Sequence, residues 1–496
     1  MARYKRINYD QMELVPVNFS EQILEGSFEY TLNYLIEEKI DLSGFDSNYK
    51  NDKTGSKAIP PSVLLKVILY AYSKGIISSR KIEEACKVNI IFKALSGNIM
   101  PDHSTIAAFV SGMKSQIQQI FQYILLVCAS SGLITGDMFA VDGCKLPSNA
   151  SKEWSGTHRD LKKKKQKLDK LAEVFLQKHQ EEDRKGNCET AKAIKKRMER
   201  VIWKANRIEK FLKSEDPRMG KRGNEIQSNI TDNESAKIKS SHGVIQGYNG
   251  LALVDSKRQV IVSAKAFGSG YEGDLLKDMV EKAEENLKNS TGGTLKGNTL
   301  LADTGYFSEE NLKEMAGREI NAIIPDNQFR NRDERFADRG RFKPKPLKYK
   351  ENDFVKNEPE NTYTCPNGKI LIYKYYQRHL SNFGHRYQAR QSDCSKCGKR
   401  EQCLKHPDRT RQRTLYIVDK RDERNYSKEM MNKIDQPETK ELYSRRMAIV
   451  EPVFGNIRSC KGLNRFTLRG KDKVNIQWVL YCIVHNIGKI QVFGKI

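Results

Sequence analysis

Residues 298–325 read NTLLADTGYFSEENLKEMAGREINAIIP, and this stretch decides the fold. An apolar run ends at Asp303, and a helix follows in which Ser308 is placed to cap the first turn. Residues 320–325 then form a second apolar run that ends in proline. The order strand, helix, strand predicts part of a sheet with helices packed against it.

The same kind of pattern extends toward the N-terminus. Residues 244–255 predict a strand, residues 259–264 its hairpin partner, and residues 275–287 an amphipathic helix. Residues 138–142 predict one more strand, which ends at Asp142 before a glycine. Together these elements predict an α/β fold built on a mixed sheet.

The rest of the chain differs from this core in composition. Residues 17–39 and several later runs have helical spacing, Pro60 and Pro61 open a helix, and Asp102 is placed to cap another. Short basic helices are typical of DNA-binding modules, although a plain helical scaffold has the same periodicity. The predicted segments are 1–130 (helical N-terminal domain for DNA binding and dimerisation), 131–158 and 226–330 (core), 159–225 (helical-hairpin insertion), 331–435 (basic linker and cysteine-rich insertion) and 436–496 (C-terminal helices).

Charge is the strongest feature of the composition. The 496 residues include 87 Lys and Arg against 62 Asp and Glu, a net charge of +25. Residues 159–222 contribute about +11 of this charge on what reads as two basic helices, and residues 326–350 are rich in arginine. The excess favours a nucleic-acid partner, and the hairpin is predicted to grip DNA. Two alternatives stay open, a charged surface that serves solubility and a solvated, salt-bridged helix pair.

The sequence gives no sign of a membrane or secretory segment. No apolar run approaches the ~18 residues of a membrane span, and no apolar stretch follows the first six residues, MARYKR. We therefore expect a cytoplasmic protein with reduced cysteines and no membrane partner.

Four cysteines lie close together in the sequence, at positions 365, 394, 397 and 403. A C-x-x-C pair lets two thiolates bind one ion from a single turn. Cys365, Cys394, Cys397 and Cys403 therefore predict a structural Zn²⁺ site of the zinc-ribbon type. His379, His385 and His406 are possible substitute ligands.

Three acidic residues stand out by their local context. Asp142 and Asp303 each follow an apolar strand, and Glu451 lies among apolar residues close to arginines. Three carboxylates suit Mg²⁺ or Mn²⁺, and two such ions can promote in-line attack on a phosphodiester. The alternative is that both aspartates cap strand ends and that Glu451 is an ordinary surface acid.

Several motifs in order along the chain carry a resemblance to a known family. They are PDHST (101–105), VDGCKLPSNAS (141–151), QGYN (246–249), VDS (254–256), ADTGYFS (302–308), VEPVFGNIR (450–458), FTLRG (466–470), KV (473–474) and HN (485–486). With the helical N-terminus and the cysteine segment, they resemble bacterial insertion-sequence transposases with a DDE catalytic domain. The closest resemblance is to insertion sequence family 1182, of the insertion-sequence 4-like superfamily.

The resemblance implies an RNase H-like core in which Asp142, Asp303 and Glu451 bind two Mg²⁺ or Mn²⁺ ions. It also implies a Tyr–Arg–Glu–Lys signature, for which Tyr443, Arg446 and Arg458 are the candidates. This chain departs from the signature, because four residues rather than three separate Arg446 from Glu451, and Arg458 stands in place of lysine. Pro452 cannot donate a backbone hydrogen bond, so we expect a helix to start or kink there.

The expected function is therefore transposition of DNA in a bacterial cytoplasm, in association with the nucleoid. The protein would bind the ends of its element as a homodimer on double-stranded DNA, cut phosphodiester bonds and join the 3′-OH ends to target DNA. Two alternatives stay open, a metal-dependent nuclease without strand transfer and a non-catalytic DNA-binding protein derived from a transposase.

Overall fold

A computed structural model describes residues 16–49, 57–220, 223–240, 243–338, 348–379, 382–418 and 424–494. The chain divides into two compact units. Unit 1 takes the described residues up to Ile324 and from Pro437 onward, and unit 2 spans Pro325–Gln436. The first residues of the chain and residues 339–347 of the predicted linker lie outside the described residues.

A mixed sheet lies at the centre of unit 1. Its strands, with a separate two-residue pair, are β1 (Met138–Pro147), β2 (Ser155–Gly156), β3 (Ser228–Asn229), β4 (Ala236–Ser240), β5 (Gly243–Asp255), β6 (Ile261–Phe267), β7 (Thr299–Ala302) and β8 (Asn321–Ile323). The order is β6–β5–β1–β7–β8, and β4 also pairs with β5. β5 runs antiparallel to β1 and β6, whereas β7 is parallel to β1 and β8. The predicted mixed α/β sheet is confirmed.

The described residues also form a series of helices. They are α1 (Phe28–Tyr34), α2 (Pro61–Ser73), α3 (Ser79–Val88), α4 (Ile90–Ser96), α5 (His103–Gly112), α6 (Gln116–Ser130), α7 (His158–Arg184), α8 (Cys188–Ser214), α9 (Leu276–Thr291), α10 (Glu309–Gly317), α11 (Phe329–Arg332), α12 (Gln391–Ser395), α13 (Arg400–Cys403), α14 (Tyr426–Ile434), α15 (Pro437–Gly455) and α16 (Lys471–Phe493). No helix in the described ranges combines the length and the apolar character needed to cross a bilayer.

Helix α16 connects the sheet to the N-terminal helices of unit 1. It contacts β6 and also α1, α2, α5 and α6, and it is apolar on nearly every side. Trp478 and Tyr481 are fully buried, and the ring of Tyr481 stacks on that of Tyr72 at 4.7 Å. The N-terminal helices and the sheet therefore share one core.

The N-terminal helices differ in part from prediction. A helix was expected from the apolar spacing of residues 17–39, but α1 begins only at Phe28. Gly26 has a φ of 75°, which helical backbone does not allow, and the Ser27 side chain accepts the N–H of Tyr30 as a cap. The helix start predicted at Pro60 and Pro61 is confirmed, since α2 begins at Pro61. The cap predicted at Asp102 is also confirmed, since its side chain accepts the N–H groups of Ser104 and Thr105.

The basic insertion forms the predicted helical hairpin. Helices α7 and α8 pack along each other, and the chain turns at Gly186, which has a φ of 74°. Thr157 and Asp160 form a capping box at the start of α7. At the base of the hairpin the Trp154 ring lies under Lys164 and Arg207, at 5.3 and 5.4 Å.

The described residues of unit 2 form an antiparallel sheet and four short helices, α11 to α14. Its strands are β9 (Val355–Asn357), β10 (Thr362–Thr364), β11 (Ile370–His379), β12 (Asn382–Ala389) and β13 (Thr414–Val418), in the order β13–β12–β11–β10–β9. Its core includes Phe354, Leu371, Tyr387 and Leu415. The cysteine-rich segment thus belongs to a sheet with an apolar core of its own.

Candidate active site

Strands β1 and β7 bring two predicted site residues side by side. Their parallel pairing ends with Val141 opposite Ala302, so Asp142 and Asp303 come next in register. β7 stops there, whereas β1 continues to Pro147 along β5. The prediction that Asp142 ends its strand is wrong, because pairing with β5 continues after pairing with β7 has stopped.

Arg446 of α15 lies between these two aspartates. Its Nη1 is 2.6 Å from Asp142 Oδ2, and its Nη2 is 3.8 Å from Asp303 Oδ1. The guanidinium is buried and lies 5.9 Å from the ring of Tyr443. A single buried cation therefore balances two neighbouring carboxylates.

The electrostatics of this group follow from its burial. Burial raises the pKa of Asp142, while Arg446 and the N–H of Gly143 oppose the rise. Burial alone would lower the pKa of Arg446, but Asp142 and Tyr443 outweigh it, so this pKa is raised. Beside them Tyr306 is fully buried, and its hydroxyl has no hydrogen-bond partner among the described residues. Burial raises the pKa of Tyr306 well above the usual value.

Glu451 reaches the site from another side of α15. Residues five apart lie about 140° apart around a helix axis, so Arg446 and Glu451 cannot share one face. Arg446 is buried, whereas Glu451 is exposed and lines a cavity of about 570 Å³ together with Asp142. The extra residue between Arg446 and Glu451 accounts for this separation, since residues four apart would lie on the same face.

Pro452 does not interrupt α15. The helix runs from Pro437 to Gly455, so the expected helix start at Pro452 is wrong, while the expected kink stays a prediction. Proline leaves the carbonyl four residues earlier without its helical donor. That carbonyl belongs to Ala448, and it accepts a hydrogen bond from Nε2 of Gln259 at 2.9 Å. The turn between β5 and β6 thus supplies the missing donor.

The wall of the cavity is basic. Arg458 lies close enough to Cys144 for a side-chain hydrogen bond, and Lys145 and Lys239 line the same space. Burial raises the pKa of the Cys144 thiol to about 11. Asp142, Glu451 and Arg458 therefore meet at one cavity, and the ring of Tyr443 lies beside Arg446.

A fourth carboxylate, Glu272, lies beside the aspartates. Its Oε1 accepts from Asn249 Nδ2 at 2.9 Å and lies 3.2 Å from Lys145 Nζ. A Cβ on Gly143 would lie 2.6 Å from Asn249 Oδ1, and one on Gly305 would lie 2.8 Å from Glu272 Oε2. A side chain at Gly143 or Gly305 would therefore displace Asn249 or Glu272 from its observed position.

Sequence reasoning missed Glu272, and it had little signal to find it. The residue lies in a loop between β6 and α9, without an apolar strand before it. The available signal was the pair of glycines that follow Asp142 and Thr304, because a glycine next to a site residue often marks a close approach.

The four cysteines of unit 2 lie near one another. Cys365, Cys394 and Cys403 pack against the core of the sheet. The N–H of Lys369 donates to Cys365 Sγ at 3.3 Å, and that of Arg413 to Cys394 Sγ at 3.4 Å. Burial raises the pKa of Cys403, and the other three thiols add to the rise. Of the substitute ligands, the side chain of His379 lies outside the described residues.

Neither the carboxylates of unit 1 nor the four cysteines of unit 2 are arranged as a complete metal site. Within the described ranges, no group of three or more His, Cys, Asp or Glu side chains is arranged to hold a metal ion. In unit 1 the guanidinium of Arg446 lies between the two aspartates that a cation would bridge. The oxygen donors and the thiol donors nevertheless match the chemistry of Mg²⁺ and Zn²⁺ respectively.

Two segments of the chain match known families. Residues 364–491 match the family described as "Transposase DDE domain", and residues 17–112 match "Transposase domain (DUF772)". No curated protein matches the chain. A DDE domain implies an RNase H-like core, and such domains generally use divalent metal ions. Glu451 and the four cysteines lie inside the first match, whereas Asp142 and Asp303 lie outside both.

Proposed function

We propose that this protein is an insertion-sequence transposase of the family 1182 type, which cuts DNA at the ends of its element and joins the 3′-OH ends to target DNA. The observation that carries the proposal is the adjacency of Asp142 and Asp303 across β1 and β7, with Glu451 at the same cavity. The transposase DDE match supports the same class of reaction.

Several side chains in or beside the cavity have a role in this proposal. Asp142, Asp303 and Glu451 would hold two Mg²⁺ or Mn²⁺ ions, which when bound activate the attacking oxygen and stabilise the leaving one. Arg458 and Lys145 line the cavity and offer cations to the DNA phosphates. Glu272 orients Lys145 and Asn249, and Arg446 keeps the two aspartates together.

The partner in this proposal is double-stranded DNA, bound by a homodimer. Cutting and joining must be coordinated at two element ends, which favours two copies of the chain on one DNA complex. The basic hairpin α7–α8 and the N-terminal helices would contact phosphates and fix the register.

Replacing the acids tests the catalytic assignment. Asp142→Asn, Asp303→Asn and Glu451→Gln should each slow Mg²⁺-dependent cleavage of the DNA flanking the gene by about 1,000-fold or more, because metal assistance is worth several kcal/mol. Binding of the same DNA should remain. Asp278→Asn is the matched control. Asp278 lies on α9, forms an ion pair with Lys265 of β6 and does not line the cavity.

Two results would contradict the assignment. If Asp142→Asn and Asp303→Asn still cleave at the rate of Asp278→Asn, the acids are not the metal ligands. If wild-type protein cleaves but does not join a pre-cut 3′-OH end to a second DNA, the protein is a nuclease without strand transfer.

We also propose that Cys365, Cys394, Cys397 and Cys403 bind a structural Zn²⁺ ion in unit 2. The sulfur atoms of Cys365 and Cys394 each accept a hydrogen bond from a backbone N–H group. Such hydrogen bonds stabilise and orient thiolate ligands, which supports the proposal. Metal analysis of reduced, folded protein should find about one zinc per chain. Cys394→Ser and Cys403→Ser should lose it, and Cys188→Ser, at an exposed thiol on α8, should not. A folded wild-type protein without zinc would refute the site.

A further inference from the structure

The hairpin of β11 and β12 in unit 2 carries a row of aromatic rings on one face. Tyr373 pairs across the strands with Tyr387, and Tyr376 pairs with His385. The ring centroids of these pairs lie 5.5 and 5.0 Å apart. Phe383 continues the row toward the turn, with its ring stacked on that of Tyr376 at 5.9 Å and 17°. The row therefore runs from the core of unit 2 out along the hairpin.

The outer half of this row is exposed. Tyr387 is only 3% exposed, whereas Tyr373, Tyr376 and Phe383 are 38%, 47% and 42% exposed. Tyr387 packs in the core of unit 2. The exposed rings farther along the hairpin do not contribute to that core, so the folding of unit 2 does not explain them. Exposed aromatic surface is costly in water and commonly marks a site of interaction.

The charge around the rings points to the kind of partner. Between Glu360 and Asp393 the sequence contains no Asp or Glu, while it contains five Lys and Arg residues. Arg378 lies opposite Phe383 in the hairpin, with its Cζ 5.8 Å from the ring centroid. Rings flanked by cations, in a segment without acids, complement a polyanion that has flat apolar groups. A protein partner would not require an acid-free surface.

We propose that the exposed rings of Tyr376 and Phe383 bind single-stranded DNA by stacking on its unpaired bases, while Arg378 and the neighbouring lysines contact its phosphates. Duplex DNA does not fit this surface as well, because its bases stack on one another and expose only their edges. The site goes beyond the proposed nuclease and joining chemistry, since it uses none of the residues of the cavity in unit 1.

Binding of a labelled oligothymidylate of about 12 nucleotides tests the proposal. Fluorescence anisotropy is measured on the full chain carrying Asp142→Asn, so that cleavage does not consume the probe. Tyr376→Ala and Phe383→Ala should each weaken binding about 5- to 50-fold, as expected for loss of one stacked base. Tyr376→Phe keeps the ring and should bind normally. Tyr375→Ala is the matched control, because the next side chain of a strand points to the opposite face.

Two further probes separate stacking from simple charge attraction. An abasic oligomer and a duplex of equal length should both bind more weakly than oligothymidylate. In Tyr376→Trp the indole fluorescence should be quenched by oligothymidylate, and this readout does not depend on the stability of the alanine variants.

The proposal is overturned if the abasic oligomer binds as tightly as oligothymidylate, or if the alanine variants keep full affinity. A change in sedimentation of the alanine variants without a change in DNA affinity would also overturn it, because the rings would then contact protein.

Discussion

Arg446 explains how two carboxylates can lie together in a largely buried site. Asp142 and Asp303 repel each other, and burial makes the charge of Asp142 costly. The guanidinium offsets this cost with one short ion pair and one longer contact. If Asp142 and Asp303 hold Mg²⁺ as proposed, Arg446 and the metal ion would compete for the same two negative charges.

This competition can be measured in the thermal stability of the protein. Arg446→Gln should lower the free energy of unfolding by about 3 kcal/mol, because it leaves Asp142 buried without its partner. Added Mg²⁺ should then raise the unfolding temperature more in the variant than in the wild type, since the competing cation is gone. The readout is a thermal melt with and without Mg²⁺.

Arg445→Gln is the control for this measurement. Arg445 is next on the same helix, but it forms an exposed ion pair with Glu441, and exposed pairs contribute less than about 1 kcal/mol. Equal stability of the Arg446 and Arg445 variants, or equal shifts with Mg²⁺, would show that Arg446 does not act as the counter-charge.

At the scale of elements, the turn between β5 and β6 supplies the hydrogen-bond donor that Pro452 removes from α15. Gln259 is at the β5–β6 turn with a φ of 59°, and its side chain both donates to Ala448 O and accepts from Lys489 Nζ. The backbone O of Gln259 is 2.9 Å from His485 Nε2. One turn residue thus links α15, which carries Glu451, to α16.

A double-mutant cycle tests this link. Gln259→Ala should destabilise the protein by about 1–3 kcal/mol, because it leaves the carbonyl of Ala448 without a donor. In a Pro452→Ala background the residue at 452 can donate to that carbonyl itself, so Gln259→Ala should cost less. Urea unfolding of the four proteins measures the coupling, and strictly additive losses would argue against the compensating bond.

The elements also show what could be predicted from sequence. The strands around Asp142 and Asp303 were predictable because apolar runs between turn residues are local signals. The end of β1 was not, because its continuation depends on β5, which lies about 100 residues away in the sequence. The unbroken α15 was missed for the same reason, since Gln259 supplies the compensation from a distant turn.

At the scale of the whole molecule, the net charge of +25 predicts that the affinity for DNA falls steeply as the salt concentration rises. Each lysine that neutralises a phosphate contributes about 0.9 to the slope of log K against log salt. If α7 grips DNA, then Lys162→Gln, Lys163→Gln and Lys167→Gln together should lower the magnitude of this slope by up to about 3. Duplex binding at a series of salt concentrations measures it.

The control for this measurement carries the same charge change elsewhere. It combines three substitutions on or just after α9, namely Lys277→Gln, Lys288→Gln and Lys296→Gln. Lys277 and Lys296 form ion pairs with glutamates of unit 1. If both triple variants change the slope equally, the charge acts through the general field of the protein, and the hairpin has no special role.

The burial of α16 has a consequence for how the protein is made. A ribosome completes the N-terminal helices several hundred residues before it reaches Trp478 and Tyr481, the side chains that fill the shared core. Until then Tyr72 and its apolar neighbours have no partner from α16 and are surfaces for chaperones to bind. A premature stop codon just before residue 471 should therefore destabilise the first helices of the chain as well as remove the last one.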